Sequence, residues 1–355
     1  MQRLNLYIAK HISYGILLAL SLVLAIELLF MLVNEFRYLG KGDYQLWQIV
    51  AFIGLTLPQK LYEFFPMAAL LGTLMGLGTL AQRSELIVMR AAGWSIFQIS
   101  LSVVKTAFVL TLIAWILGEG VAPFTDKIAT DIRAVALSGG QAMRTTHGTW
   151  MRDGDDFVHI RAMNVEKRIE GITRYHFDDH FKLIKSVFAR YGDYSTDHWV
   201  LHDIQETTLL PDRVLTEMLA EEKWYSVIEP DILGVVGVKY YDQLSLMGLW
   251  RTIAYRQANG LNSSALELAF WDKWIQPFTT IVMMLLAIPF IFGPLRQSTM
   301  GLKILIGIVV GFGFFTFNSL FGPLILVYEF PPFLGSILPT LVFVVLGIYM
   351  TRRVI

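Results

Sequence analysis

The chain has 355 residues, of which 55% are hydrophobic and only 16% are charged, and its mean hydropathy is +0.53. These values exclude an ordinary soluble domain and indicate a membrane protein. The 29 basic and 29 acidic residues cancel, so no overall positive field would recruit nucleic acid, and we expect no nucleic-acid partner. The absence of cysteine excludes disulfides, thiol catalysis and cysteine-bound metals.

Six apolar segments are each long enough to cross the roughly 30 Å hydrocarbon core of a membrane as a helix. They lie near residues 12–34, 54–82, 98–122, 268–292, 301–325 and 332–351. The first follows Arg3 and Lys10, but it is longer than a signal-peptide core and lacks a cleavage site, so we expect a retained span. Pro58, Lys60 and Glu63 interrupt the second, which predicts a tilted or broken helix.

The orientation follows from the lysines and arginines of the short loops and span ends, which favour the cytoplasm. Those on one side are Arg3, Lys10, Arg83, Arg90, Lys105, Arg296, Lys303, Arg352 and Arg353. Only Arg37 and Lys41 lie in a short loop on the other side. We therefore expect both termini in the cytoplasm and the long region of about 124–264 across the membrane.

That long region is charged, aromatic and rich in turn signals. Its strand-like pieces include "FVHIRAM" (157–163), "GITRYHF" (171–177), "SVFARY" (186–191) and "HWVLHDI" (198–204). Short strands at regular spacing predict an antiparallel β-sandwich or jellyroll. The expected organisation is a membrane α-helical protein with spans one to three in residues 1–123, a β-jellyroll in 124–264 and spans four to six in 265–355.

No motif for catalysis or nucleotide binding occurs in the chain. The sequence lacks G-x-x-x-x-G-K-[ST], H-E-x-x-H and G-x-S-x-G, and no G-x-G-x-x-G follows a strand. We expect no catalytic residue, no cofactor and no metal site in this chain. For five histidines of the β region, surface or strand-face roles are favoured over metal ligation: His159, His176, His180, His198 and His202.

Ionisable residues in or near the spans are candidates for function, because a charge in hydrocarbon costs several kcal/mol. Glu35 and Glu119 are expected at the outer interface, where their carboxylates reach water. Lys60 and Glu63 are three residues apart on a helix and can neutralise each other. For Glu27, deep in the first span, burial against another helix and a functional role are equally open.

The loop "LAQRSELIVMRAAGW" (80–94) separates the second and third spans and predicts a short helix. Ser84 can cap it, Glu85 and Arg90 suit its dipole, and Gly93 can end it. Arg83 shares a face with Arg90, and the neighbouring strip is Leu86, Met89 and Gly93. Two interpretations stay open: an interfacial helix obeying the charge rule, or a helix that inserts into a groove of a cytoplasmic partner.

Five stretches resemble the YjgP/YjgQ family of lipopolysaccharide export permeases. They are "FFPMAALLGTLMGLGTLAQRSELIVMRAAG" (64–93), "GEGVAP" (118–123), "GTWMRDGDDFVHI" (148–160), "IFGPLR" (291–296) and "FGPLILVYEFPPFLGSILP" (321–339). The resemblance covers nearly the whole chain in order, although about 164–230 matches only by pattern.

The resemblance implies a transporter subunit in the inner membrane of a Gram-negative bacterium, with a periplasmic jellyroll. It implies an LptF-like sibling permease, an LptB-like ATPase dimer that binds ATP and Mg, and an LptC-like bridge protein. Together they would carry lipopolysaccharide towards the outer membrane. Residues of about 84–94 would be the coupling helix, in which Glu85 engages the ATPase beside Arg83, Ser84 and Arg90.

The resemblance also implies where lipopolysaccharide binds. A family lysine near the outer end of the first span is replaced here by Met31, and Arg37 nearby can substitute. Charge near the outer leaflet leaves two interpretations open for Arg37, Lys41, Lys60 and Arg133: solvated residues, or phosphate contacts of an acidic amphiphile. The resemblance favours the phosphate contacts, since Arg133 matches a family arginine, although Lys60 lies close to and not at the family's basic position. The expected acyl-chain contacts in the fifth span are Phe314, Phe317 and Leu320. The first and fifth spans would form lateral gates. The alternative for these aromatics is ordinary helix packing, and the alternative function is a non-transporting membrane anchor or scaffold for the β domain.

Overall fold

The computed structural model describes residues 2–137, 144–163, 168–178, 182–195, 197–228, 241–293 and 298–354, with the single residues 180, 230 and 233. These residues form two compact units. The first unit contains Met1–Arg37, Val50–Ala129 and Ser264–Ile355, and the second contains Tyr38–Ile49 and Thr130–Ser263.

The helices before the sheet are α1 (Gln2–Phe36), α2 (Leu46–Gln82), α3 (Glu85–Ala91), α4 (Ile96–Ile116) and α5 (Ala122–Leu137). A π-helical segment, Leu117–Val121, joins α4 to α5. After the sheet come a short 3₁₀ turn (Tyr241–Gln243) and then α6 (Leu246–Ala258), α7 (Ser264–Phe292), α8 (Met300–Val327) and α9 (Pro332–Val354).

Within the residues that the structure describes, six helices are long and apolar enough to cross a membrane, as predicted. They are Arg3–Phe36, Leu46–Gln82, Ile96–Leu137, Ser264–Phe292, Met300–Val327 and Pro332–Arg353. Three precede the sheet and three follow it, which confirms the predicted fold class of six spans with an inserted antiparallel β domain. The third span continues through the π-helical segment into α5, well beyond its predicted end near residue 122.

The second span is one continuous helix with Pro58 and Pro66 inside it, so it is not broken at Pro58, Lys60 or Glu63, and its tilt stays a prediction. Pro66 has no N–H, which leaves the carbonyl oxygen of Tyr62, four residues earlier, without its usual helical partner. The side-chain amide of Gln276 in α7 donates to that oxygen at 2.7 Å. A neighbouring helix thus satisfies the polar group that the proline exposes, as the membrane interior requires.

Helices α1 and α2 approach closely at three glycines. A methyl group at Gly15 would overlap the Gly72 carbonyl, and one at Gly76 would lie 2.7 Å from the carbonyl oxygen of His11. Gly72 and Gly76 have the four-residue spacing with which small residues bring membrane helices into backbone contact. The N-terminal half of α1 is therefore fixed against α2.

The second unit is built on six antiparallel strands in the consecutive order β1–β6. They are β1 (Arg144–Asp153), β2 (Asp156–Met163), β3 (Ile169–Phe177), β4 (Leu183–Ser195), β5 (His198–Leu209) and β6 (Val214–Trp224). All four quoted strand pieces lie in β2 to β5, which confirms those predictions. Closure of the sheet into a jellyroll stays a prediction.

One face of the sheet carries an apolar core that includes Val158, Ile172 and Trp199. The indole N–H of Trp199 donates to the carbonyl oxygen of Ile228 at 2.8 Å. Tyr255 of α6 belongs to the same core, and its hydroxyl donates to the Arg152 carbonyl oxygen at 2.7 Å. Burial raises the pKa of the Tyr255 phenol, so this donor keeps its proton at neutral pH.

Candidate functional site

The helix α3 confirms the predicted short helix after the second span, but it begins differently from the prediction. Ser84 lies at φ 58°, in the left-handed region, and its side chain makes no capping hydrogen bond. A capping serine needs an extended backbone, whereas the two-residue link from Gln82 to Glu85 forces a tight turn. The prediction that Ser84 caps the helix was therefore wrong.

The end of α3 agrees with the sequence. Gly93 has φ 91° and its N–H donates to the Arg90 carbonyl oxygen at 3.0 Å, while the N–H of Trp94 donates to that of Met89 at 3.0 Å. This pair of bonds is a Schellman motif, which needs a left-handed residue that glycine supplies at little cost. Gly93 therefore fixes the point where the chain turns towards the third span.

The two faces of α3 have different environments. Leu86 and Met89 are buried in the apolar core of the first unit. Ile87 and Val88 are 54% and 65% exposed, and Arg90 is exposed beside them. The strip of Leu86 and Met89 therefore holds α3 on its own chain, and the surface open to a partner is the opposite, outward face.

Glu85 is joined to the first span by a contact that the sequence did not reveal. The hydroxyl of Tyr7 in α1 donates to the Glu85 carboxylate at 2.8 Å. The two residues are 78 positions apart, so no local pattern relates them. Of the other predicted coupling residues, Arg83 and Ser84 are exposed in the link before α3.

Two of the predicted phosphate contacts lie together in the second unit, around one aromatic ring. The ammonium of Lys41 lies 4.9 Å from the ring centroid of Tyr38, and the guanidinium carbon of Arg133 lies 4.6 Å from it. The N–H of Asp43 donates to the Ala136 carbonyl oxygen at 2.8 Å, which holds the loop against α5. A paired positive charge at this ring is a suitable surface for a phosphate.

The other two predicted phosphate contacts belong to the first unit. Arg37 is exposed just after the end of α1. The ammonium of Lys60 lies 2.8 Å from a Glu63 carboxylate oxygen and 3.5 Å from one of Glu27. This confirms that Lys60 and Glu63 neutralise each other, and it gives Glu27 a partner within the chain. With two carboxylates around one ammonium, the Lys60 cluster carries no spare positive charge.

The three predicted acyl-chain contacts have different environments in α8. Phe314 is buried, and its ring meets that of Phe343 edge to face, with the centroids 5.0 Å apart. Phe317 is half-buried beside Phe321, and Leu320 is exposed. Ordinary helix packing therefore accounts for Phe314, whereas Leu320 faces outward.

Glu35 is buried and the side chain of Glu119 is largely enclosed, contrary to the expectation that they reach water at the outer interface. A Glu119 carboxylate oxygen lies 2.7 Å from the ammonium of Lys273 in α7, and these side chains are 12% and 5% exposed. Burial is tolerated at Glu119 because the opposite charge lies in contact. Sequence reasoning missed Lys273, since nothing local marks it as a partner of the third span.

The ion pair lies at a junction of three helices. Glu119 is in the π-helical segment, and a methyl group at the adjacent Gly118 would overlap the ring of Tyr62 in α2. The ammonium of Lys273 lies 5.9 Å from the centroid of that ring. One turn further along α7, Gln276 binds the Tyr62 carbonyl. Tyr62 is thus the point at which α2, the third span and α7 meet.

Three histidines of the second unit pair with carboxylates. A ring nitrogen of His176 lies 2.6 Å from Asp156, one of His198 lies 2.7 Å from Asp197, and one of His202 lies 3.2 Å from Glu221. Within the described ranges, no group of three or more histidine, aspartate and glutamate residues is placed to hold a metal ion.

The sequence is similar to known proteins over nearly its whole length. The family described as lipopolysaccharide export system permease LptF/LptG matches residues 6–353. The lipopolysaccharide export system permease protein LptG of Haemophilus influenzae is 41% identical over 352 residues, which are 99% of this chain and 98% of the relative. That of Escherichia coli K12 is 36% identical over 353 residues, with the same coverage. The chain therefore belongs to the LptF/LptG family of lipopolysaccharide export permeases.

Proposed function

We propose that the chain is the permease subunit of an ATP-driven transporter that extracts lipopolysaccharide from the periplasmic leaflet of the inner membrane and passes it to a periplasmic jellyroll bridge. The observation that carries the proposal is the family membership over residues 6–353. Six membrane-length helices around an inserted antiparallel sheet agree with such a subunit. The proposed topology puts both termini in the cytoplasm and the sheet in the periplasm, following the positive charges of the loops.

The energy would enter at α3, the proposed coupling helix. The sequence contains no P-loop, so ATP and Mg would be bound by an LptB-like ATPase dimer. The outward face of α3 offers Ile87 and Val88 as apolar contacts, flanked by Arg90 and Glu85. An exposed apolar strip with charges at its edge is the surface that a helix presents to a groove. An LptF-like sibling permease and an LptC-like bridge protein complete the proposed assembly.

The lipid phosphates would bind at Lys41 and Arg133. Both cations lie against the Tyr38 ring, and two neighbouring positive groups suit the phosphates of an acidic lipid. Arg37 is a further exposed candidate, whereas Lys60 would have to leave its carboxylates first. Leu320 on the outward side of α8 is the best placed of the acyl-chain candidates, because Phe314 is packed in the core.

The test is Glu85→Ala in the reconstituted transporter, with Asp212→Ala, an exposed acid of the β domain, as the matched control. We expect Glu85→Ala to lose ATPase association or lipid-stimulated ATP turnover, and Asp212→Ala to keep both. If Glu85→Ala behaves as the wild type, the coupling role is wrong. If the wild-type chain recruits no ATPase, the scaffold interpretation replaces the transporter.

A further inference from the structure

We infer that Tyr7 is a positioning residue for energy coupling: its hydroxyl holds Glu85 and joins α3 to the first span, so that both move as one body. The inference rests on the proposed function, because it assumes that a partner acts on α3. It adds a residue of α1 to a site otherwise confined to the loop between α2 and α4.

The hydrogen bond is suited to this role. A phenol that donates to a carboxylate at 2.8 Å makes a charge-assisted bond, which is stronger than one between neutral groups. A carboxylate has about four lone-pair positions, so Glu85 can accept from Tyr7 and still bind a cation of a partner. The Tyr7 ring packs on that of His11 one turn along, with the centroids 4.4 Å apart, and this fixes the direction of the hydroxyl.

Packing around the hydrogen bond joins α3 to the N-terminal half of α1. Leu86 and Met89 of α3 share one apolar core with Ile8 and Ile12 of α1. Further along, the α1 backbone touches α2 at the glycines already described, which leaves no room for sliding there. Force on the outward face of α3 is therefore transmitted to α1.

The C-terminal half of α1 has an exposed apolar side, because Leu22, Ile26 and Leu29 are all more than half exposed. This half also has a partner in the chain, since the Glu27 carboxylate lies 3.5 Å from the Lys60 ammonium of α2. A push on α3 would therefore reach the first span through its packed N-terminal half, where Tyr7 lies.

The experiment compares Tyr7→Phe with Tyr14→Phe in the reconstituted transporter containing the sibling permease and the ATPase. Both variants remove one hydroxyl from α1, but Tyr14 is exposed one turn beyond His11 and is not bonded to α3. We expect Tyr7→Phe to keep ATPase association and to lower lipid-stimulated turnover about 3- to 10-fold, the scale of one hydrogen bond. We expect Tyr14→Phe to match the wild type.

Two further results separate positioning from mere stabilisation. Adding Tyr7→Phe to Glu85→Ala should lower turnover no further, because Tyr7 acts through Glu85. The chain has no cysteine, so spin labels can be attached at Ala91→Cys at the end of α3 and at Leu18→Cys in α1, both exposed. The distance between the two labels should be the same with and without nucleotide, and Tyr7→Phe should broaden the distribution of this distance.

Three outcomes would overturn the inference: wild-type turnover in Tyr7→Phe, additive losses in the double variant, or a label separation that changes with nucleotide in the otherwise wild-type chain. Each can occur while Glu85→Ala still uncouples the ATPase, so the proposed function would stand. A silent Glu85→Ala variant would instead remove the coupling role itself.

Discussion

Replacing Lys273 with methionine should destabilise the chain strongly. The ammonium lies 2.7 Å from the Glu119 carboxylate, and the side chains are only 5% and 12% exposed, so solvent screens the pair little. Removing Lys273 takes the contacting opposite charge away from a carboxylate that is only 12% exposed, and breaking such a buried pair costs about 3–5 kcal/mol. The double variant Lys273→Met/Glu119→Leu removes both charges, and we expect it to recover most of that loss.

The assay is unfolding of the detergent-solubilised chain in increasing dodecyl sulfate, followed by tryptophan fluorescence. Lys105→Met is the matched control, because this lysine is exposed on α4 and we expect its loss to change the free energy of unfolding by less than about 0.5 kcal/mol. The reasoning is refuted if Lys273→Met unfolds at the same dodecyl sulfate concentration as the wild type, or if the double variant is as unstable as the single one.

Two other predictions use contacts in separate parts of the chain. Gly76→Ala should lower the free energy of unfolding by about 1–3 kcal/mol, because the new methyl group would press on the α1 backbone. Gly54→Ala, whose methyl group would meet nothing within 4 Å, should raise it by about 0.5–1 kcal/mol. Equal unfolding free energies of the two variants would contradict the contact between α1 and α2. A photocrosslinker at Leu39, exposed beside Tyr38 in the second unit, should capture lipopolysaccharide. Lys41→Glu with Arg133→Glu should lower the yield at least several-fold, whereas the exposed Arg213→Glu should leave it unchanged. Undiminished capture would refute the proposed phosphate contacts.

The spans could be predicted because the signal for each one is contained in its own residues. An apolar run of about 20 residues has few alternatives to crossing a membrane, whatever the rest of the chain does. The strands "FVHIRAM" and "HWVLHDI" were found for a similar reason, since alternation and turn residues are local. The end of α3 could also be predicted locally, because it depends on a single residue with a left-handed backbone, Gly93.

The errors come from contacts between distant segments. The position of Glu119 near the end of an apolar run is typical of a carboxylate at the membrane interface, and only the fold brings Lys273 to it. Ser84 fits the pattern of a helix cap, but the short link between two helices decides its backbone angles. Pro58, Lys60 and Glu63 left a broken second span open, yet α2 is continuous, and Lys60 binds the distant Glu27 as well as Glu63. In each case the compensating group is absent from the window in which the pattern is judged.

The burial of the six spans bears on which of them move. In the most apolar part of each helix, 67% of the residues of α2 are buried inside the chain, against 22% for the first span, 17% for the fifth and 22% for the sixth. Low burial therefore marks three spans as candidates for movement, whereas only the first and fifth spans are predicted to be lateral gates. Contacts with α3 distinguish them further: no hydrogen bond or ion pair of the described residues joins α3 to α8 or α9, whereas Tyr7 joins it to α1. Of the three exposed spans, only the first has this bond to the proposed coupling helix among the described residues, so we expect it to be the gate that follows the proposed ATPase.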